Sequence, residues 1–282
     1  MELARYAEII SNLEMLISVG RQVSERLVGA APDALHQSYA DPIFVKLLCH
    51  AISLHKLSPA SDLMEGQLWD MPSACAVARC IIEAHDVLEY IALANLPEEE
   101  RSFRLVVWRL HDQQRRSSVL KAINSTLPQA QQIHSRAAEL QTEAEQHSWF
   151  NNINREQQRR IRNGDAPSFL ISHRDLNAVN GVDHDYHVAA TMMLSQYVHT
   201  LPMAVHQLQE FRAGTPEGLH LSSMPIQYSL PFLARAITRM AEVFPRGNVE
   251  VTAEQESVFL RWRAIAENGV TLASYIEDSD VG

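Results

Sequence analysis

The 282-residue sequence has few features that are typical of β-strands. Runs of β-branched residues are short, and glycine occurs only ten times. Apolar residues instead recur every three to four positions along most of the chain, which is the spacing that places them on one face of an α-helix. The sequence therefore predicts an all-α protein: a multi-helix bundle of about eight helices that forms a single domain over residues 1–282.

Long apolar runs are absent as well. No run approaches the roughly 18 residues that a membrane-spanning helix requires. The opening residues Met1-Glu2-Leu3 also lack the basic flank of a signal peptide. These absences predict a cytoplasmic protein without a membrane partner.

Cysteine and lysine are scarce, and the charge is acidic. The three cysteines, Cys49, Cys75 and Cys80, match no metal-ligand or redox spacing, so they are interpreted as small core residues. Glycine-rich phosphate loops and zinc-finger spacings are missing, and no cofactor or metal is predicted. A net charge of −10 disfavours indiscriminate binding to nucleic acid.

Capping residues and prolines set the predicted helix boundaries. Asp70 followed by Pro72 begins the third helix, and Thr252 with Gln255 forms a predicted capping box at the last. Residues 165–182 are predicted to be irregular, and Pro202 is expected to kink or break the sixth helix. The predicted helices span residues 3–28, 41–57, 72–95, 97–125, 128–163, 183–212, 225–244 and 253–277.

The fourth and fifth predicted helices are joined by a short connection. They are therefore expected to form a long antiparallel helical hairpin over residues 97–164 that protrudes from the bundle. One hypothesis for function follows from this hairpin, namely a structural or interaction protein that assembles as a homo-oligomer through it. The basic segment 155–162, "REQQRRIR", is interpreted as a solvated or salt-bridged face, with phosphate contact as the alternative.

The third predicted helix carries a narrow polar stripe on an otherwise apolar surface. At 100° per residue, the four members of this stripe fall on one side of the helix, and apolar residues flank them. A surface ion pair between Arg79 and Glu83 is one interpretation. A ligand-binding cleft is the other, in which Arg79 clamps an anion. The polar stripe consists of Arg79, Glu83, Asp86 and Tyr90.

A second polar line follows the helix predicted from residue 183. Thr191, Ser195 and His199 recur every fourth residue among apolar neighbours, and His184 and His187 extend the line towards the helix start. Two such lines are expected to meet inside the bundle, because buried polar groups need partners.

If they meet, His199 becomes a general base held by Glu83. Arg79, Asp86, Tyr90, Thr191 and Ser195 then bind a small anionic or phosphate-bearing ligand. An internal hydrogen-bond network that sets the helix register is the competing interpretation.

Two resemblances bear on these residues. The Arg79-x-x-x-Glu83 helix and the later "SQYVHTLP" segment resemble a family of uncharacterised all-helical bacterial proteins, which implies that the two helices pair but supplies no reaction. The spacings from Arg79 to His85 and from Arg104 to His111 resemble the motif of HEPN ribonucleases. That likeness implies an effector of a toxin or defence system with RNA as its partner.

Overall fold

The computed structural model describes residues 1–59 and 69–270, and all of its regular elements are helical. Where the sequence predicts one domain of about eight helices, the described residues form eleven α-helices. Contacts between Cα atoms group the chain into two compact units, Met1–Leu93 with Leu176–Gly282, and Ala94–Asp175. Among the described helices, none has the length and apolarity that crossing a membrane requires.

The eleven helices are α1 (Leu3–Leu27), α2 (Ala40–Leu57), α3 (Met71–Val87), α4 (Glu98–Ala122), α5 (Pro128–Gln146), α6 (Arg155–Arg162), α7 (His173–Asn180), α8 (His184–Val198), α9 (Pro202–Glu210), α10 (Pro216–Val243) and α11 (Ala253–Asn268).

Side-chain caps form where the sequence predicted them. The Asp70 carboxylate accepts a hydrogen bond from the backbone N–H of Ser73 at the start of α3. Thr252 and Gln255 exchange the reciprocal hydrogen bonds of a capping box at the start of α11. These local signals depend only on neighbouring residues, so the sequence alone is sufficient to place them.

Other boundaries differ from the prediction. The segment 165–182 contains α7, and α8 ends before Thr200, which has a φ of 52°, so that Pro202 starts a separate helix. The last helix was predicted to reach residue 277; α11 ends at Asn268, and residues 271–277 lie outside the described residues.

Helix α10 also begins nine residues before its predicted start, although it contains Pro225 and Pro231. Proline in a helix interior leaves a carbonyl four residues earlier without its usual donor. The Tyr186 hydroxyl donates to one such carbonyl, that of Gln227, at 3.5 Å. The remaining length of α10 is stabilised by burial against α1, α3 and α11.

A π-helical segment, Leu88–Leu93, follows α3 directly, where the sequence predicts a continuous α-helix to about residue 95. All six of its residues are buried, including Glu89 and Tyr90. Single π-turns within helices are frequent at functional sites, because they displace side chains and loosen the hydrogen-bond ladder.

The second unit contains α4, α5 and α6. Helices α4 and α5 run antiparallel, since Ser117 bonds to His134 at 2.6 Å and Ser102 bonds to His147 at 3.3 Å. The predicted hairpin with one continuous second arm to residue 163 is not matched. Helix α5 ends at Gln146, and a 3-10 turn at Ser148–Asn152 separates it from α6.

Candidate functional site

The polar stripe predicted on α3 does not act as one surface. Arg79 and Glu83 form an ion pair of 3.1 Å, and the Glu83 side chain is 57% exposed. Asp86 and Tyr90, by contrast, are both 2% exposed. The ion pair agrees with the first of the two interpretations of the stripe, and the burial of Asp86 and Tyr90 gives no support to a ligand-binding cleft along it.

Asp86 is the centre of a buried polar cluster, the Asp86 cluster, which consists of Asp86, His85 and His187. His187 donates from Nε2 to one carboxylate oxygen at 2.9 Å, and His85 donates from Nδ1 to the other at 3.3 Å. Phe232 packs edge-on against both imidazole rings. The cluster links α3 to α8, and it was the competing interpretation, an internal hydrogen-bond network, that anticipated such a link.

The histidines determine the ionisation of Asp86. Burial alone would raise the pKa of this carboxyl, but the hydrogen bonds from His187 and His85 lower the pKa to about 2. Asp86 is therefore an anion at neutral pH, and as an anion its oxygens can only accept hydrogen bonds. The arrangement stabilises a fixed charge in the core and does not present a base to solvent.

A pH-dependent stability follows from this lowered pKa. The carboxyl titrates at an ordinary value of 3.8 when unfolded and at about 2 when folded. The charged form therefore stabilises the native state above about pH 4, and that contribution, about 2 kcal/mol, is lost as the pH falls towards 2.

Urea unfolding of the wild type and of Asp86→Asn at pH 5 and at pH 2 measures this effect. The stability difference between the two proteins should shrink by about 2 kcal/mol at the lower pH. A difference that stays constant between the two pH values would contradict the lowered pKa.

The hydroxyl groups of the second predicted polar line form hydrogen bonds within their own helix, α8. Thr191 donates to the carbonyl of His187 at 2.7 Å, and Ser195 donates to the carbonyl of Thr191 at 2.6 Å. His199 is exposed, at the C-terminal cap of α8. Because both hydroxyls serve their own helix, neither is positioned by the opposite helix for a ligand.

The register of α3 against α8 separates Glu83 from His199. Asp86 contacts His187, and Cys75 lies close enough to Tyr197 to add to the rise in pKa that burial causes there. The helices therefore run antiparallel, and His199 lies about nine residues, or about 13 Å, along α3 from the level of Glu83. This distance gives no support to Glu83 and His199 as a catalytic pair, which requires hydrogen-bond reach.

The two ribonuclease-like spacings also involve structural contacts. Arg79 pairs with Glu83, and His85 is 1% exposed within the Asp86 cluster. Arg104 is 6% exposed and pairs with Glu100 at 2.5 Å. His111 bonds through Nδ1 to the carbonyl of Ala166 at 2.7 Å. Neither spacing yields an exposed arginine–histidine pair.

The histidine at the start of α8 has a side-chain partner. His184 bonds to Asn177 at 3.1 Å, and Asp183 caps the start of α8. Among the residues that the structure describes, no group of three histidine, cysteine or acidic side chains could hold a metal ion.

Ion pairs account for most of the arginines in the basic segment of α6. Arg159 pairs with Glu156 at 2.7 Å and Arg160 with Asp165 at 3.0 Å. Arg162 lies 3.9 Å from Glu145. These contacts favour the salt-bridged interpretation of the segment.

A different cleft of the first unit gathers charged residues that the sequence did not single out. We call it the arginine cleft; its volume is about 340 Å³. Helices α10 and α11 contribute most of the lining, and the last residue of α7 and the glycine that follows it contribute the rest. The lining residues are Asn180, Gly181, Arg235, Thr238, Arg239, Glu242, Arg263 and Glu267.

Arg235 is the most deeply buried cation of the arginine cleft, with a side chain that is 8% exposed. It donates to the Glu267 carboxylate at 2.8 Å and to the carbonyl of Asn180. Its buried Nε has no hydrogen-bond partner among the described residues. Burial lowers the pKa of Arg235, but a guanidinium remains charged at any physiological pH. The cleft therefore contains a buried cation with an unused donor.

Two residues of the π-helical segment bind Arg239. Glu89, 1% exposed, accepts a hydrogen bond from Nε of Arg239 at 3.3 Å, and the carbonyl of Leu93 accepts another at 3.3 Å. On its outer side Arg239 donates to Glu242 at 2.8 Å. Arg239 is thereby held between a buried carboxylate and an exposed one.

The third arginine is held less tightly. Arg263 lies 3.7 Å from Glu267, which also serves Arg235 at the shorter distance. Glu242 and Glu267 are 49% and 38% exposed, so either carboxylate can turn towards water. If Glu267 does so, another anion has to take its place beside the buried Arg235. An incoming anion would find two guanidinium groups that share one solvent-accessible carboxylate.

A sequence signal for this cleft exists but is weak. Arg235 and Arg239 stand four residues apart in the largely apolar stretch "LARAITRMAEV", a spacing that places them on one face of a helix. Their carboxylate partners Glu89 and Glu267 come from distant segments, so the sequence does not reveal that the groups meet.

The fold and this cleft define an all-helical protein with a buried-arginine cleft. No family model, no curated protein and no solved structure matches the chain. The resemblances to all-helical bacterial proteins and to HEPN ribonucleases accordingly stay predictions.

Proposed function

We propose that this protein binds a small ligand with a carboxylate or phosphate group in the arginine cleft. The observation that carries the proposal is the Nε of Arg235, a buried donor that bonds to none of the residues the structure describes, on a side chain that lines the cleft. Buried polar groups in proteins are almost always hydrogen-bonded, and those that are not often belong to sites that a ligand completes.

The chemistry of the lining favours an anion. A guanidinium presents its N–H donors in a planar fork that matches the oxygens of carboxylates and phosphates. In the proposed complex the ligand accepts hydrogen bonds from Arg263 and from Nε of Arg235, while the Glu267 carboxylate turns towards solvent. Arg239 stays with Glu89 and adds positive potential without being displaced.

The ligand class therefore agrees with the small anionic or phosphate-bearing ligand expected from the sequence, but the site differs. Arg79 was expected to clamp that anion, yet it forms its ion pair with a carboxylate that is more than half exposed. Pairs of this kind at the surface are screened by water and are poor anchors for an anion.

Titration of the protein with inorganic phosphate and, separately, with malonate tests the proposal, with sodium chloride used to match ionic strength. Calorimetry on the wild type should detect saturable binding of at least one anion. The anion that binds more tightly, phosphate or malonate, identifies the ligand class as phosphate-bearing or carboxylate-bearing. Arg263→Gln should weaken that binding at least about tenfold, because a charge-assisted pair contributes about 1.5–3 kcal/mol.

Arg79→Gln is the matched control, since it removes an arginine of α3 that also pairs with a glutamate. It should leave the affinity unchanged. Arg235→Lys retains the charge but loses the planar fork, and it should weaken binding as Arg263→Gln does. Absence of binding in the wild type would overturn the proposal, and so would loss of binding in Arg79→Gln together with full binding in Arg263→Gln.

A further inference from the structure

Two arginines of the arginine cleft share one carboxylate. Oε1 of Glu267 lies 2.8 Å from Nη1 of Arg235 and 3.7 Å from Nη2 of Arg263. Three ionised groups therefore meet at one oxygen atom, and two of them are cations. We call Arg235, Arg263 and Glu267 the basic group of the cleft, because two positive charges and one negative charge leave it with an excess of one positive charge.

The third arginine of the cleft has the opposite surroundings. Arg239 lies 3.3 Å from Glu89 and 2.8 Å from Glu242, so one cation faces two carboxylates. Burial by itself lowers the pKa of an arginine, yet these carboxylates raise the pKa of Arg239, whereas the pKa of Arg235 is lowered. We call Arg239, Glu89 and Glu242 the acidic group, because it has an excess of one negative charge.

The positions along α10 separate the two groups. Arg235 and Glu242 are seven residues apart, which is close to two helical turns, so they lie on the same face about 10 Å apart along the helix axis. Both residues line the cleft. Glu89 is buried and Glu242 is 49% exposed, so Glu242 is the carboxylate of the acidic group that a ligand can reach. The cleft is therefore polarised, positive near Arg235 and negative near Glu242.

The arginine cleft has room for more than a single anionic group. Its volume is about 340 Å³, and sites for complete small molecules typically measure about 300–1,000 Å³. A phosphate or carboxylate bonded to Arg235 and Arg263 would leave the part of the cleft beside Thr238 and Glu242 for the rest of the ligand. A positively charged group on that part of the ligand would balance the excess negative charge of the acidic group.

We infer that the ligand of the arginine cleft is zwitterionic, with a phosphate or carboxylate separated by a few carbon atoms from an ammonium group. This inference rests on the proposed function and names the ligand class of the same site. The anionic group accepts hydrogen bonds from Nε of Arg235 and from Arg263, and the ammonium group donates to Glu242. Arg239 keeps Glu89 as its counter-ion, so the buried carboxylate retains its partner.

Calorimetric titration of the full chain with pairs of ligands that differ in the ammonium group tests the inference. O-phosphoethanolamine is compared with propyl phosphate, and 5-aminopentanoate with hexanoate, at matched ionic strength. In each pair a methyl group takes the place of the ammonium group. For the pair with the preferred anionic group, the zwitterion should bind about fivefold more tightly, because it gains an ion pair with a half-exposed carboxylate.

Glu242→Gln tests whether Glu242 causes this preference. The variant should bind both ligands of the pair with equal affinity, because the amide carries no charge. Glu25→Gln is the matched control, since Glu25 is also an exposed glutamate that pairs with an arginine of its own helix, and it should keep the fivefold preference. The melting temperature of each variant should stay within about 4 °C of the wild type, because both side chains are exposed.

Three results would overturn the inference. In the first, each zwitterion binds no more tightly than its methyl counterpart, while Arg263→Gln weakens both; the proposed function then stands without an ammonium group on the ligand. In the second, the preference persists in Glu242→Gln, which would place the ammonium group elsewhere. In the third, the wild type binds neither phosphate nor malonate nor any of the four ligands, and the proposed function fails together with the inference.

Discussion

Replacement of Asp86 by alanine is expected to lower the free energy of unfolding by about 3 to 5 kcal/mol. The carboxylate is 2% exposed and accepts hydrogen bonds from His187 and His85. Its removal leaves two buried imidazole donors without an acceptor, and it also opens a small cavity. Urea denaturation at pH 7, followed by circular dichroism, measures the change.

Glu83→Ala provides the matched control, because Glu83 belongs to the same helix and lies one turn away. Its side chain is 57% exposed in an ion pair with Arg79, so its loss should cost less than about 1 kcal/mol. Similar losses for the two variants would show that the Asp86 cluster does not anchor α3 to α8.

The second large effect is expected at Arg239. Arg239→Met should destabilise the protein by about 3 kcal/mol, because Glu89 in the π-helical segment would be left buried without its cation. Removing the stranded charge as well, in the double variant Arg239→Met with Glu89→Gln, should restore at least half of the lost stability. Equilibrium unfolding of both variants and of Glu89→Gln alone completes a double-mutant cycle.

Equilibrium unfolding of Glu242→Gln measures how much the ion pair between Arg239 and its exposed partner contributes to stability. Glu242 is 49% exposed, and its pair with Arg239 should contribute less than about 1 kcal/mol. If the double variant is no more stable than Arg239→Met, the cost of that substitution comes from lost packing of the arginine stem and not from the stranded charge of Glu89.

Local signals explain what the sequence predicted well about the fold. The all-α class follows from apolar periodicity, and the caps at Asp70 and Thr252 follow from residues within one turn of each other. Predictions failed where long-range packing opposed a local preference. Pro225 and Pro231 lie inside α10 because burial of this helix against three others compensates for the missing donors.

At the candidate site, too, the sequence predicted local features but not the contacts between distant segments. The sequence identified α3 and α8 as helices with polar residues among apolar ones, and the two helices do pack together. It did not identify which residues meet. Asp86 bonds to His187 across a separation of 101 residues, and Arg239 bonds to Glu89 across 150. Periodicity assigns a residue to a face, but the partner of that face depends on helix register.

By itself, therefore, the sequence determined the helical class, most helix starts and the presence of buried polar groups, since these depend on interactions within a turn or two. Only the tertiary structure decided that Arg79 and Glu83 form a surface pair while Arg235, Arg239 and Arg263 line one cleft. The physical reason is that the energy of a charge depends on its burial and on its nearest opposite charge. Packing between distant segments sets both of these quantities.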